Sequence, residues 1–198
     1  MNGHPPFVPL GDAFERAFLL ASELHRTQSR KHGRIPYISH LMCVAGMVLE
    51  HGGDENQAIA ALLHDGPEDQ GGVATLERIE REFGADVAAL VSACSEPLGL
   101  TRAEWRPRKD GYLAHLAALD ARALLIAGCD KVHNASNLLS LLETEGVEAF
   151  GRFNGGVQGT IWWYSTLADR LGPRLPRPLG RELKRLASGI AEYGRAHP

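Results

Sequence analysis

The sequence lacks any run of about 18 apolar residues, so no segment of it predicts a membrane-spanning helix. It also lacks a positively charged leader followed by an apolar stretch, the pattern that directs secretion. We therefore expect a cytoplasmic protein with no membrane partner. No segment alternates apolar and polar residues over the length of a strand, and this absence favours an all-α helical bundle.

Cysteine is scarce, and there is no excess of positive charge. The three cysteines, Cys43, Cys94 and Cys129, are odd in number and widely spaced, so they predict no disulfide framework. Each lies in an apolar segment, which predicts that each is a small buried side chain. The formal net charge is −3, and a chain without excess positive charge is not expected to bind nucleic acid in general.

What is present is the composition of an ordinary globular chain. Of the 198 residues, 44% are hydrophobic and 23% are charged. This length predicts one domain, residues 1–198, able to bury a full core without disulfides or a structural metal. We expect its core to span about residues 12–172 and a closing helix to span about residues 178–194. The sequence indicates no particular oligomeric state.

The chain is organised around residues 58–69, AIAALLHDGPED. A helix that is apolar on all sides is normally buried, so this helix would deliver His64 and Asp65 into the interior. Buried ionisable groups must be paired, protonated or bound to a metal. An imidazole beside a carboxylate suits Mn²⁺, Fe²⁺ or Zn²⁺. Pro67 cannot continue the helix, so the two acidic residues after it should lie in a new turn.

Two further residues are candidates to complete a metal site. His40 begins an apolar-striped helix, and Asp130 ends a second apolar helical run on a face shared with Asn134 and Asn137. Together with the earlier pair they offer two nitrogens and two oxygens, which leaves coordination positions open for water and substrate. Alternatives exist for each alone: a core histidine bonded to the backbone, or an aspartate paired with Lys131.

Three other features of the sequence bear on the site. The basic residues form two clusters, Arg30, Lys31 and Arg34, then Arg102, Arg106, Arg108 and Lys109. They are either solvated surface patches or rims around an anionic ligand. The polar stretch at residues 95–110 predicts a loop, and loops of this length are often functional. The glycine-rich stretch at residues 152–159 predicts a linker in preference to a phosphate-binding loop.

Three motifs in order, PYISH at 36–40, HDGPED at 64–69 and CDKVHN at 129–134, resemble those of the HD-domain metal-dependent phosphohydrolases. The resemblance is closest to the hydrolase domain of the Rel/Spo alarmone enzymes and to their small single-domain relatives. It spans about residues 14–172, including YSTLADRLG near the end. The dipeptide HD alone is a weak signal, whereas three ordered motifs are specific. The resemblance implies a compact helical HD-domain bundle.

The same resemblance implies a metal site and a pair of catalytic carboxylates. It implies one Mn²⁺ ion held by four side chains, those of His40, His64, Asp65 and Asp130. It also implies that Glu68 and Asp69 activate or position the attacking water, since a carboxylate near such water can take its proton. The alternative for these two residues is an acidic helix end exposed to solvent.

The nucleotide contacts follow from the same resemblance. Arg30 and Lys31 match an Arg-Lys pair that is implied to stack on the base and contact the phosphates, tasks that suit a planar guanidinium. Asn134 and Asn137 match positions that contact the nucleotide. The long Rel enzymes usually have threonine at the position of Asn137, so this sequence departs from their pattern there.

The function that the resemblance implies is hydrolysis of a nucleotide pyrophosphate. The expected reaction is manganese-dependent removal of the 3′-pyrophosphate from guanosine tetra- or pentaphosphate, with a small-molecule nucleotide as the partner. One alternative keeps the chemistry but changes the substrate, for example to an adenine alarmone. Another is a nucleotide-binding regulator without turnover, but such a protein needs neither all four metal ligands nor the Glu68–Asp69 pair.

Overall fold

The structure, a computed structural model, describes residues 9–31, 34–95 and 105–196. Within these ranges the all-α prediction is confirmed, and the one strand-like pairing is a bridge between Ser29 and Pro36. The helices are α1 (Asp12–Leu24), α2 (Ile38–Glu50), α3 (Glu55–Leu63), α4 (Gly66–Asp69), α5 (Val73–Phe83), α6 (Ala85–Cys94), α7 (Trp105–Ala118), α8 (Ala121–Glu145), α9 (Gly156–Arg170) and α10 (Arg177–Ala196). Short 3₁₀ helices cover Gly146–Arg152 and Gly172–Arg174.

Helix α3 is the central element. It begins with a capping box. Asp54 Oδ1 accepts from the Gln57 backbone N–H at 2.8 Å, and Gln57 Oε1 accepts from the Asp54 backbone N–H at 3.0 Å. Every residue from Gln57 to Leu63 is buried, because α1, α2, α6 and α8 pack around the helix. The prediction of a buried helix in front of His64 is therefore confirmed.

The chain breaks direction directly after α3. Helix α3 ends at Leu63, and the four-residue α4 starts a separate turn with Pro67 in its first positions, where a missing N–H costs nothing. This confirms the predicted break at Pro67. Glu68 and Asp69 therefore lie on α4, and the directions of their side chains do not follow from the axis of α3.

Helices α8 and α10 complete the bundle around that break. Asp120 caps α8 by accepting from the Ala123 N–H at 2.9 Å, and the helix then runs through the core for most of its 25 residues. Helix α10 lies across α8 and α9. A Cβ on Gly180 would lie 2.3 Å from the carbonyl oxygen of Gly172, so only glycine permits this close approach. No helix in the described ranges combines the length and apolar character needed to cross a bilayer.

Two sequence predictions are wrong. Cys43 is exposed, because the buried stripe of α2 is Leu41, Val44, Ala45 and Val48, and residue 43 lies off that stripe; Cys94 and Cys129 are buried as predicted. The loop predicted for 95–110 is helical from Trp105 onward, since the first turn of a helix tolerates Pro107. Residues 96–104, including Arg102, lie outside the described residues.

The glycine-rich stretch at 152–159 forms a seat for Trp105. A Cβ on Gly155 would lie 2.7 Å from Trp105 Cζ2, and one on Gly159 would lie 3.0 Å from Trp105 Cη2. Helix α9 begins at Gly156, so the linker prediction holds only for the first part of the stretch. The glycines therefore let the start of α7 pack against the start of α9.

We expect Gly155→Ala to displace the Trp105 indole. Overpacking of this kind costs about 1–3 kcal/mol of unfolding free energy, and the tryptophan emission should change as the ring becomes more exposed. Denaturant unfolding and fluorescence measure both effects. Gly151→Ala is the matched control, because a Cβ there meets nothing within 4 Å. Equal stability of the two variants would contradict the proposed seat.

Candidate active site

The side chains of His40, His64, Asp65 and Asp130 meet at the break after α3. His40 Nε2 lies 3.5 Å from Asp65 Oδ2 and 3.2 Å from Asp130 Oδ1. His64 Nε2 lies 3.2 Å from Asp65 Oδ2 and 3.9 Å from Asp130 Oδ1. The ligand atoms of His40, His64 and Asp65 all lie within 4.8 Å of one another. The structure thus brings together the four predicted metal ligands from α2, the α3–α4 junction and α8.

These residues fit a divalent cation. His64 Nδ1 lies 2.8 Å from the Ala61 carbonyl oxygen, so this nitrogen holds the proton and Nε2 holds a lone pair. That Nε2 atom is buried and has no hydrogen-bond partner among the described residues. A buried lone pair facing two carboxylates is costly unless a cation lies between them. Two imidazole nitrogens and two carboxylates are a donor set suited to a first-row divalent ion.

Both aspartates are ionised at neutral pH. Burial alone would raise the pKa of Asp65, but attraction to His64 and His40 in their protonated forms holds it below its usual value. Burial acts in the same direction on Asp130, whose pKa is held well below its usual value by Lys131 and His40. The site therefore concentrates negative charge in a buried position, where a cation is attracted most strongly.

Two supporting residues were missed in the sequence although both belong to the recognised motifs. Tyr37 donates its hydroxyl to Asp65 Oδ2 at 2.7 Å. His133 Nδ1 lies 2.8 Å from His40 Nδ1. Burial lowers the pKa of His133 to about 4, so its ring is neutral and can accept the proton of His40 Nδ1. This tautomer leaves the Nε2 lone pair of His40 facing the carboxylates, as a metal-binding imidazole requires.

The ion pair between Asp130 and Lys131 is present, and the geometry of Asp130 is also compatible with a metal ligand. Its Oδ1 atom faces the histidines, while Oδ2 accepts from Lys131 Nζ at 2.5 Å. The ammonium also lies 4.7 Å from the centroid of the Tyr112 ring. Lys131 therefore neutralises one oxygen of the carboxylate and leaves the other for a cation. The sequence suggested this ion pair only as an alternative to a metal ligand.

Two of the residues predicted to bind the nucleotide, Arg30 and Asn134, are hydrogen-bonded to each other. Arg30 Nη2 donates to Asn134 Oδ1 at 2.6 Å, and Asn134 Nδ2 donates to Asp130 Oδ1. The Arg30 guanidinium also lies 5.5 Å from the centroid of the Tyr37 ring. Asn137, unlike Asn134, does not bond a metal-ligand candidate: its Nδ2 donates to the His133 carbonyl oxygen at 2.8 Å. Arg30 and Asn134 are thus linked directly to the metal-ligand cluster.

These groups form one side of a pocket of about 350 Å³. Arg30, Lys31, Glu68, Asn134 and Asn137 line it beside the ligand cluster, and helices α7 and α9 supply the opposite wall. Asp69 is outside that lining in the part of the chain described, and its Oδ2 accepts from Gln28 Nε2 at 2.7 Å. The structure therefore separates Glu68, which faces the pocket, from Asp69, which faces the loop that precedes α2.

The opposite wall is aromatic and basic. Arg108 and Lys109 line the pocket together with Trp105 and Trp163, and Lys109 Nζ lies 4.6 Å from the centroid of the Trp163 ring. The positions of Arg108 and Lys109 favour the interpretation of the second basic cluster as a rim around an anionic ligand. Arg106 is a surface residue instead: it stacks 3.5 Å from the centroid of Trp162 and pairs with Asp110 at 3.2 Å. Members of both basic clusters thus line the same pocket.

Comparison with known proteins gives one consistent family. The profile of the HD domain matches residues 17–173. A GTP pyrophosphokinase of Myxococcus xanthus is 32% identical over 85% of this chain and 23% of its own length. A probable guanosine-3′,5′-bis(diphosphate) 3′-pyrophosphohydrolase of Synechocystis is 32% identical over 79% of this chain and 20% of its own length. This chain thus spans about a fifth of these relatives.

A solved structure covers the same region almost completely. It is that of a metazoan SpoT ortholog described as hydrolysing ppGpp, and it superimposes with a TM-score of 0.73 at 26% identity. The match covers 91% of this chain and 96% of that protein. The similarity therefore includes nearly the whole described bundle, with the pocket and the ligand cluster inside it.

Proposed function

The chain belongs to the HD-domain family, and from that premise we propose that it is a metal-dependent hydrolase that removes the 3′-pyrophosphate of guanosine-3′,5′-bis(diphosphate). The observation that supports this most is the meeting of two histidines and two aspartates beside a pocket with cationic walls. An anionic substrate needs both features, because one divalent ion neutralises only part of its charge. The similarity to a ppGpp-hydrolysing SpoT ortholog supports the same reaction.

We propose Mn²⁺ as the ion and His40, His64, Asp65 and Asp130 as its ligands. When bound, such an ion withdraws charge from a phosphoryl oxygen and makes water more acidic. Tyr37, Lys131 and His133 would keep the ligand side chains oriented by the hydrogen bonds already described. The rest of the chemistry falls to residues of the pocket.

Glu68 is the proposed general base, because it lines the pocket on the side of the ligand cluster. Water attacks the phosphorus next to the ribose 3′ oxygen, and Glu68 takes the proton that the water loses. The bond between that phosphorus and the 3′ oxygen breaks, and the 3′ oxygen gains a proton. The products are a guanosine 5′-diphosphate and inorganic pyrophosphate. Asp69 would assist by positioning the water.

Arg30, Lys31 and Asn134 are proposed to bind the nucleotide. Arg30 is at present bonded to Asn134, so substrate binding would replace that contact with contacts to phosphate or base. A guanidinium can stack on a base and donate to phosphate oxygens at the same time. Asn137 is a weaker candidate for direct contact, since its amide is already bonded to the His133 carbonyl.

A nucleotide panel tests this proposal. Purified protein with Mn²⁺ is incubated with guanosine-3′,5′-bis(diphosphate), an adenine alarmone and GTP, and the products are separated by chromatography. We expect guanosine 5′-diphosphate and pyrophosphate from the first compound and slower turnover of the others. Preference for the adenine compound would change the substrate but keep the chemistry. Tight binding without any product would identify a regulator and contradict the enzymatic proposal.

The paired substitution of Arg30 and Lys31 by alanine is expected to raise KM about tenfold or more. Each charge-assisted hydrogen bond that is lost is worth about 1.5–3 kcal/mol. Mn²⁺ content should not change, and nucleotide binding should become less sensitive to salt because fewer charges take part. Replacing Arg181 and Lys184, which are exposed on α10, removes the same charge as a control. Parent-like nucleotide affinity in the Arg30 and Lys31 variant would argue that these residues form only a solvated loop.

A further inference from the structure

One residue between α1 and α2, Gln28, is the centre of a hydrogen-bond network outside the ligand cluster. Its Nε2 donates to Asp69 Oδ2 at 2.7 Å. Its Oε1 accepts from Gln70 Nε2 at 2.7 Å and lies 2.7 Å from His25 Nδ1. The side-chain amide of Gln28 is therefore bonded at both ends, to the end of α1 and to the turn that carries the acidic pair.

These contacts allow only one orientation of the Gln28 amide. A rotation by half a turn would place Oε1 against the Asp69 carboxylate and Nε2 against the Gln70 donor. His25 reinforces the orientation by presenting Nδ1–H, and this leaves its Nε2 buried without a hydrogen-bond partner among the described residues. A buried unpaired nitrogen is costly. The arrangement is thus kept at the expense of one unsatisfied group.

The main chain of Gln28 fixes a second part of the site. Its carbonyl oxygen accepts from the Tyr37 N–H at 3.0 Å, and the Arg30 N–H donates to the Ile35 carbonyl at 2.9 Å. These two bonds hold together the two ends of the loop that carries Arg30. Tyr37 also stacks on His25, with ring centroids 5.0 Å apart. Gln28 therefore contacts the loop that carries Arg30 through its backbone and contacts Asp69 through its side chain.

We propose that Gln28 is a positioning residue that sets the direction of the Asp69 carboxylate, an inference that rests on the proposed hydrolase function. The bond from Gln28 occupies Oδ2 only, so Oδ1 stays available to accept from water. Asp69 is exposed on a four-residue helix whose backbone does not fix the side chain. The side-chain amide of Gln28 restrains the Asp69 carboxylate, and the backbone of Gln28 holds the loop that carries Arg30.

The test begins with Gln28→Glu, which keeps the size of the side chain and places a carboxylate against that of Asp69. We expect kcat to fall about tenfold to a hundredfold, because a misdirected Asp69 carboxylate would no longer position the attacking water. KM and Mn²⁺ content should stay near parent values, because the backbone bonds of the loop do not need the amide. Gln70→Met is the control, since it removes one contact of Gln28 and none of Asp69. An unchanged kcat, or a raised KM with kcat intact, would overturn the proposal.

A double variant separates positioning from a purely structural role. In Gln28→Glu with Asp69→Asn the hydrogen bond can form again in the reverse direction, with residue 69 as the donor. We expect thermal stability to return to the parent value while kcat stays low, because the neutral amide oxygen at position 69 is a weaker acceptor for the attacking water than a carboxylate. Stability that does not return would show that the two side chains are not in contact and would overturn the proposal. An inactive parent would contradict the proposed function alone, and the stability cycle would still decide the contact.

Discussion

Asp65→Ala is expected to abolish metal binding and turnover while the fold survives. Asp65 Oδ2 faces the Nε2 atoms of both His40 and His64, so this carboxylate is the group that connects the two imidazoles. Without it, a cation would lose one of four ligands and the negative charge closest to both histidines. Elemental analysis after dialysis measures the ion, and release of pyrophosphate measures turnover. We expect both to fall to background.

The fold should survive because the core does not depend on the ion. Large side chains such as Leu62, Leu63 and Ile126 are almost completely buried by contacts with other helices. The Tyr37 hydroxyl loses its acceptor, which costs about 1–3 kcal/mol and leaves a protein of ordinary stability folded. Asp12→Ala, an exposed change in α1, is the control for a lost carboxylate. Full metal occupancy in the Asp65 variant would refute its assignment as a ligand.

The helical fold and the location of the site could be predicted because apolar periodicity is a local signal. Residues 58–63 are apolar without interruption, and that pattern alone placed His64 and Asp65 inside the protein. Pro67 then determined the turn that carries Glu68, since a proline ring is incompatible with the interior of a helix. Both features depend on neighbours in the sequence, which is why reasoning from the sequence reached them.

Contacts between distant segments could not be predicted in the same way. Arg30 and Asn134 are 104 positions apart and bond directly, and His40 and His133 are 93 positions apart. Each pair joins two segments that are far apart in the sequence. The residue pattern within one segment does not determine how that segment is oriented toward the other. The first part of α7 was predicted as loop for another reason: its first turn contains Arg106, Pro107 and Arg108 and offers no apolar stripe. In that turn Trp105 and Arg108 line the pocket, whereas Arg106 lies on the surface.

The separation of Glu68 from Asp69 divides their proposed roles. The sequence motif predicts one shared role for both residues. In the structure Glu68 lines the pocket, whereas Asp69 is hydrogen-bonded to Gln28. A general base must reach the water that attacks phosphorus, so Glu68 is the better placed of the two. Asp69 can instead connect the attacking water to the loop that holds the nucleotide. Substitutions at the two positions should therefore differ in their effects on kcat and KM.

Glu68→Gln is expected to retain the metal and lose most turnover. The amide has the shape of the carboxylate but cannot take a proton, and general base catalysis is worth about 10²–10⁴-fold in rate. Glu68 is not among the four residues that meet at the cation site, so Mn²⁺ content measured by elemental analysis should equal that of the parent. Nucleotide affinity should be equal or higher, because one negative charge facing an anionic substrate is removed.

Glu77→Gln on α5 is the control, since Glu77 is also exposed but lies on another helix. The decisive comparison is between kcat and metal content in the same preparation. A variant that loses both would show that Glu68 supports the ion rather than the proton transfer. Unchanged turnover would place Glu68 among the exposed acidic residues of a helix end. Loss of kcat with metal and nucleotide binding intact is the result expected of a group that acts in the chemical step.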